Sequence, residues 1–280
     1  MNKITTSLPV VYEDRLCLFL DILGFKSHVD ESAKEPDKTL KSTYSRFTVP
    51  GLYRALKSIG EAMTFTVGQS LNTTKKVTQF SDSIVVSYKL DEESALFDML
   101  YDIYLLQINL IQRGVLVRGA ITAGKLIHDD KLVFGPALNE AAEFEKLAMY
   151  PRVILNQEII ELGKSRHAIH HSSADEEKSI MSLLNRDLDG MFYIDYFKVS
   201  PGEFDEEWDG LYSHMLELRE LIKRLSQLTR TPSIKLKHSW MRQKFNEVAL
   251  PLEKSKYKLL NGRYVPEDLE NDIHSIAPFH

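Results

Sequence analysis

The sequence predicts an α/β domain, an α+β sandwich of sheet and helices, followed by a mainly helical C-terminal extension. Three observations carry that expectation. Residues 10–165 alternate apolar runs of strand length with amphipathic stretches, in the order strand, helix, hairpin, helix, strand, helix, strand. Residues 166–280 break the alternation, with a polar stretch and one strand-like run before two long helical patterns. The composition supplies a sizeable core: 280 residues, 43% hydrophobic and 27% charged, which excludes disorder, collagen and low complexity.

Arg15 to Phe25, RLCLFLDILGF, is an apolar run ending in an acid and a glycine; it reads as a buried strand that delivers Asp21 to a loop, with Gly24 permitting a tight turn. Residues 30–43 are polar and read as a loop. From Tyr44 to Met63, Phe47, Leu52, Leu56 and Ile59 recur near helical spacing, with Pro50 breaking or starting the helix. KKVTQFSDSIVVSYKL, residues 75–90, reads as a hairpin with Asp82 at its tip. Residues 91–113 open with acids and end in arginine before Gly114, as a helix should. VLVRGAITAGKLI, residues 115–127, gives one or two strands, and Pro136 opens a helix over PALNEAAEFEKLAMY. PRVIL adds a strand and NQEIIELG a short helix. Beyond them, residues 164–187 are polar, FYIDYFKV reads as one strand, and helical patterns span 208–229 and 233–249.

Lys and Arg number 35 against 40 Asp and Glu, a net charge of −5, so the chain lacks the basic field of a general nucleic-acid binder. The single cysteine, Cys17, lies in an apolar run and reads as a buried hydrophobe in a reducing compartment. No window approaches the roughly 18 uninterrupted apolar residues of a membrane span, and the first residues lack an apolar signal core. The expectation is a cytoplasmic protein with no membrane and no nucleic-acid partner.

Asp21 ends a strand and Asp82 tips a hairpin, where neighbouring strands could bring them together. Two carboxylates so placed hold hard divalent cations, Mg²⁺ or Mn²⁺, and a metal pair suits phosphoryl transfer. Aspartate also favours turns and strand ends for local hydrogen bonding, so the pattern alone leaves both readings open.

FLDILGF at 19–25, FSDS at 80–83, VRGAITAG at 117–124 and FGPALNEAAEFEKLAMYPRVIL at 134–155 occur in the order and near the spacing of class III nucleotide cyclases. This half of the chain resembles most the pyrimidine cyclases of bacterial Pycsar antiphage defence. The resemblance implies a ferredoxin-like, palm-type sheet and a cyclase domain over 10–165, with 166–280 a strand-plus-helices extension packed on it. It implies that Asp21, Asp82 and the carbonyl of Ile22 hold two Mn²⁺ or Mg²⁺ ions. Ile22, Leu23, Gly24 and Phe25 would cradle the triphosphate with main-chain amides at a helix start. Asn139 would position the ribose and Arg152 bind phosphate, both across a homodimer interface. The implied reaction converts UTP, or CTP, to the 3′,5′-cyclic nucleotide and diphosphate, a messenger read by a separate effector protein during phage infection.

Two departures from the family pattern matter. Its transition-state arginine would stand four residues after the asparagine, where this chain has Glu143, so Arg118 or Arg152 is the candidate substitute. The positions that read a purine edge hold Thr78 and Leu132, which argues against ATP and GTP. Tyr53 is the candidate to narrow the pocket for a pyrimidine. The alternatives are a purine cyclase, a pseudo-cyclase that senses a triphosphate without turnover, and, more remotely, a palm-type polymerase. His167, His170 and His171 read as a solvated loop rather than a metal site. Lys235, Lys237, His238, Arg242 and Lys244 could cover a triphosphate or bind nucleic acid, or form the wet side of a helix with Trp240 and Phe245 inward.

Overall fold

A computed structural model describes residues 10–33, 49–64, 73–227, 231–254, 259–260, 263–264 and 276–279. The apolar run near the start forms β1 (Glu13–Ile22), whose alternate residues serve two faces. Leu16, Leu18, Leu20 and Ile22 enter the main core, while Cys17 and Phe19 join a smaller cluster on the opposite face. Burial pushes the Cys17 thiol up to about 12. After Gly24 come α1 (Phe25–Ser32) and α2 (Val49–Thr64). Then follow β2 (Lys76–Phe80), β3 (Ser83–Lys89), α3 (Ala95–Gln112) and β4 (Val117–His128).

β1 lies between β3 and β4, antiparallel to both, and β2 pairs with β3 at the edge. The order β2-β3-β1-β4, with helices joining β1 to β2 and β3 to β4, is the ferredoxin-like split βαβ arrangement expected from the sequence. α3 buries Leu96, Met99, Leu100, Ile103 and Leu110 in the main core; full burial of such a side chain contributes about 1.5–3 kcal/mol.

β5 (Val133–Phe134) folds back on β4, and α4 (Pro136–Leu147) starts at Pro136, whose fixed φ suits a first helical position. Ala137 and Ala141 of α4 press against Cys17, Val85 and Leu126, covering the second face of the sheet. β6 (Val153–Leu155) joins β4 in parallel, and α5 (Gln157–Lys164) follows.

The extension is less separate than expected. β7 (Leu184–Arg186) and β8 (Phe192–Ile194) continue the same sheet, whose path runs β2-β3-β1-β4-β6-β8-β7. The boundary expected at residue 165 therefore crosses one continuous sheet and one core. A 3₁₀ turn (Pro201–Glu203), α7 (Glu207–Gln227), α8 (Pro232–Lys254) and a two-stranded ladder of β9 (Leu259–Leu260) and β10 (Arg263–Tyr264) follow. Trp240, Met241, Phe245, Val248 and Ala249 form the inward stripe of α8.

Three local expectations change. Residues 30–32 belong to α1 rather than a loop. The polar stretch 164–187 contains α6 (Ser173–Ser182), opened by a reciprocal capping box between Ser172 and Asp175. FYIDYFKV is strand only over Phe192–Ile194. The expected helix positions Tyr44 and Phe47 lie outside the described residues. No described helix is long and apolar enough to cross a membrane.

Candidate active site

The period of two in β1 puts Asp21 on the face of Cys17 and Phe19, the side covered by α4. Its cross-strand partners are Ser83 on β3 and Arg118 on β4. Phe80 pairs with Ser83, so Ser81 and Asp82 make a two-residue turn, with Ser81 in the left-handed region at φ 55°. The Ile22 N–H donates to the Asp82 carbonyl at 3.0 Å, which fastens the hairpin tip to the end of β1. The two aspartates, far apart in sequence, thus share one end of the sheet. On the other side of β1, Gly119 lets β4 approach closely, because a Cβ there would lie 2.7 Å from the Phe19 carbonyl oxygen.

Electrostatics at this end are crowded. Burial, then the neighbouring Glu145 and Asp82 carboxylates, push Asp21 up to about 6, against the opposing pull of Arg118 and Lys237. Arg118 Nη2 stands 3.7 Å from Asp21 Oδ2, while its Nε pairs with buried Glu145. That second contact is an ion pair without hydrogen-bond geometry. Among the described residues no three His, Cys, Asp or Glu side chains converge as a ready cation cage. The donors on offer are hard oxygens, and excess negative charge is what a divalent cation relieves, so the set fits such an ion.

The loop after β1 differs from expectation in detail. The amides of Ile22 and Leu23 already donate to the carbonyls of Asp82 and Leu116, the latter at 2.8 Å. The amides without intrahelical acceptors therefore begin after Leu23, at Gly24, with φ 73°, and the first turn of α1.

Arg152 requires correction. Expected on phosphate, it is 0% exposed and spent inside the protein. Its Nη1 lies 2.6 Å from Asp187, its Nη2 pairs with Asp189, and its Nε donates to the Ala148 carbonyl at 3.0 Å. Trp240 Nε1 donates to the same Asp187 at 2.6 Å and stacks on Tyr150. A guanidinium so enclosed reaches no outside ligand.

Asn139 and Glu143 share the exposed face of α4, opposite Ala141 and Glu145. Tyr53 is 64% exposed on α2, and Leu132 is 60% exposed in the turn between β4 and β5. Thr78 meets His128 Nε2 at 2.9 Å, and His128 Nδ1 meets Ser87 at 2.7 Å. Burial, then Arg15 and Lys76, hold His128 down at about 4, so it is neutral at ordinary pH. His170 and His171 are exposed between α5 and α6, and His171 Nδ1 stands 3.3 Å from Glu176.

Sequence reasoning missed Glu145, His128 and the placement of Lys237. For Glu145 a signal existed: Ala137, Ala141 and Glu145 recur every four residues and so share the inward face of α4. For Lys237 none did, since its approach to Asp21 depends on how α8 packs.

Comparison with protein-family models finds no match, and comparison with curated proteins finds none. Among solved structures the chain is similar to the adenylyl cyclase CyaB from P. aeruginosa, at 12% identity and TM-score 0.39, covering 67% of this chain and 96% of that one. It is similar to the catalytic core of a rhodopsin-guanylyl cyclase with converted specificity, in complex with ATPαS, at 13% and 0.36, covering 66% and 96%. A class III adenylyl cyclase-like ATP-binding protein from Pseudomonas aeruginosa follows at 13% and 0.34, covering 60% and 40%. At these scores the likeness is one of outline, and the strand order and paired aspartates carry the functional reading.

Proposed function

We propose that this chain is a nucleotide cyclase of the class III type that converts UTP, with CTP second, to the 3′,5′-cyclic nucleotide and diphosphate. The observation that carries the reading is the meeting of Asp21 and Asp82 at one end of a ferredoxin-like sheet, each within the motif that the resemblance assigns to metal binding. Asp21, Asp82 and the Ile22 carbonyl would hold two Mn²⁺ or Mg²⁺ ions. Bound there, such ions supply positive charge to the ribose 3′-hydroxyl and to the departing diphosphate. The 3′-hydroxyl gives its proton to solvent as its oxygen bonds to the α-phosphorus and the bond to diphosphate breaks, with no covalent enzyme intermediate.

Gly24 and the first turn of α1 receive phosphate oxygens, and Arg118 holds Asp21 in place. Asn139, facing outward on α4, contacts the ribose of a second copy's site in a homodimer. Thr78, tethered to His128, and apolar Leu132 offer no purine-edge reader, which supports a pyrimidine, with Tyr53 narrowing the pocket. The protein acts in the cytoplasm, and its product serves antiphage defence through a separate effector. One observation favours a second reading: Arg118 is already ion-paired and Glu143 is a carboxylate, the balance of a pseudo-cyclase that binds without turnover.

The test is incubation of the full chain with Mn²⁺ or Mg²⁺ and each of ATP, GTP, CTP and UTP, with products resolved by mass spectrometry. The expected result is a cyclic pyrimidine nucleotide whose formation falls at least about 10³-fold in Asp82→Ala, through loss of several kcal/mol of charge stabilisation. A cyclic purine would sink the pocket argument, and nucleotide bound without product would establish the sensing alternative.

A further inference from the structure

The C-terminal extension reaches the Asp21 end of the sheet through α8. Trp240 anchors that helix: its indole stacks on Tyr150 with centroids 5.2 Å apart and donates to Asp187, which also pairs with Arg152. Lys244, one turn further on, stands 3.3 Å from the same Asp187. Arg152 is next to Arg118 in space, because Gly119 pairs with Val153 and the Gly119 N–H donates to the Arg152 carbonyl. Lys237 precedes Trp240 by three residues on the same face, about 4.5 Å back along the axis, and helical side chains lean toward the N-terminus. α8 therefore lays Trp240 over Arg152 and brings Lys237 toward Arg118 and Asp21.

The other cations of α8 are placed otherwise. Lys235 is exposed, Arg242 lies over the Phe279 ring, and Lys244 is held by Asp187 and Glu247. Lys237 is part-buried, and among the described residues no hydrogen bond or ion pair takes its ammonium. Burial, then Arg118, lower its pKa while Asp21 and Glu145 raise it, which places it within electrostatic reach of all three. A partly desolvated ammonium with unused donors beside a divalent-cation site matches a polyphosphate anion.

We propose that Lys237 binds the polyphosphate chain of the substrate, so that the extension completes the active site with the cation that Glu143 cannot provide. The proposal rests on the nucleoside-triphosphate reading above. Its contact is with phosphate oxygens, so it is blind to the base. It also gives the extension a role in the reaction: a triphosphate that engages Lys237 bridges α8 and the end of β1.

The test is calorimetric titration of the full chain, with Mn²⁺ present, by α,β-methylene analogues of UTP, CTP, ATP and GTP and by inorganic triphosphate. Lys237→Met keeps the apolar stem and removes the charge, Lys237→Arg restores a cation, and exposed Lys235→Met is the control. The expected result is about a tenfold to hundredfold weaker affinity in Lys237→Met, equal for inorganic triphosphate and for each nucleotide that binds. Lys237→Arg recovers most of the loss, and thermal melting is unchanged in all three variants. Unaltered affinity in Lys237→Met, or a loss confined to one base, overturns the assignment and leaves the nucleotide reading standing. Wild type that binds inorganic triphosphate but no nucleotide overturns the cyclase reading and leaves Lys237 a polyphosphate ligand. Wild type that binds neither overturns both.

Discussion

Arg118 and Arg152 stand side by side where β4 and β6 run parallel, each among carboxylates, yet the two clusters are built differently. Around Arg152, two cations (Arg152 and Lys244) face Asp187, Asp189 and, at the rim, Glu247, and Trp240 and a backbone carbonyl complete the hydrogen bonding. Around Arg118, two cations (Arg118 and Lys237) face three carboxylates, Asp21, Asp82 and Glu145, and the Arg118–Glu145 contact lacks hydrogen-bond geometry. The first cluster is hydrogen-bonded around a buried centre, Arg152 and Asp187, with Asp189 and Glu247 at its solvent edge, so it fixes β6, the turn before β8 and α8 relative to one another. The second is partly open and short of positive charge, a state that stability alone does not explain and that a cationic ligand resolves.

The contrast is broken most severely at Arg152. Arg152→Met strands buried Asp187 beside an apolar side chain, and urea unfolding is expected to show a loss of about 3–5 kcal/mol. A loss below about 1 kcal/mol would mean that the Arg152 cluster does not hold the fold. Trp240→Phe keeps the ring packing and removes one donor from buried Asp187, at an expected cost of about 1–3 kcal/mol in the same assay.

Glu145→Gln sharpens the open side. Removing that charge lowers the Asp21 pKa from about 6 toward the ordinary carboxylate range, read by carboxyl-carbon NMR of the metal-free chain. Because Asp21 is raised on folding, its contribution to stability is present below about pH 3.8 and is lost as pH rises through about 6. Glu145→Gln makes that fall smaller. An unchanged Asp21 titration would mean that burial and Asp82, not Glu145, raise it.

How legible these clusters were in the sequence follows from their geometry. The end of β1, the hairpin tip and the start of α4 were legible because apolar runs, a turn acid and Pro136 are local signals. Arg152 was misread because its partners come from the turn before β8, which carries no periodic signal, and from α8, whose inward Trp240 was legible but whose packing on Arg152 was not. α6 was missed because Glu176 and Ile180 are its buried residues, too few for a visible stripe, although Ser172 and Asp175 already spelled its cap. The approach of Lys237 to Asp21 is a product of tertiary packing and has no signature at the level of spacing.

The single cysteine turns β1 into its own reporter. Cys17 lies on the strand that carries Asp21, fully buried, with a thiol that burial holds protonated up to about 12. The thiolate is the reactive form and α4 covers Cys17, so an alkylating reagent modifies the intact fold only when α4 lifts from that face of the sheet or β1 parts from its neighbours. Labelling rates thus clock the uncovering of that face of the sheet, with no engineered probe, and any triphosphate that bridges α8 to the end of β1 should slow that clock.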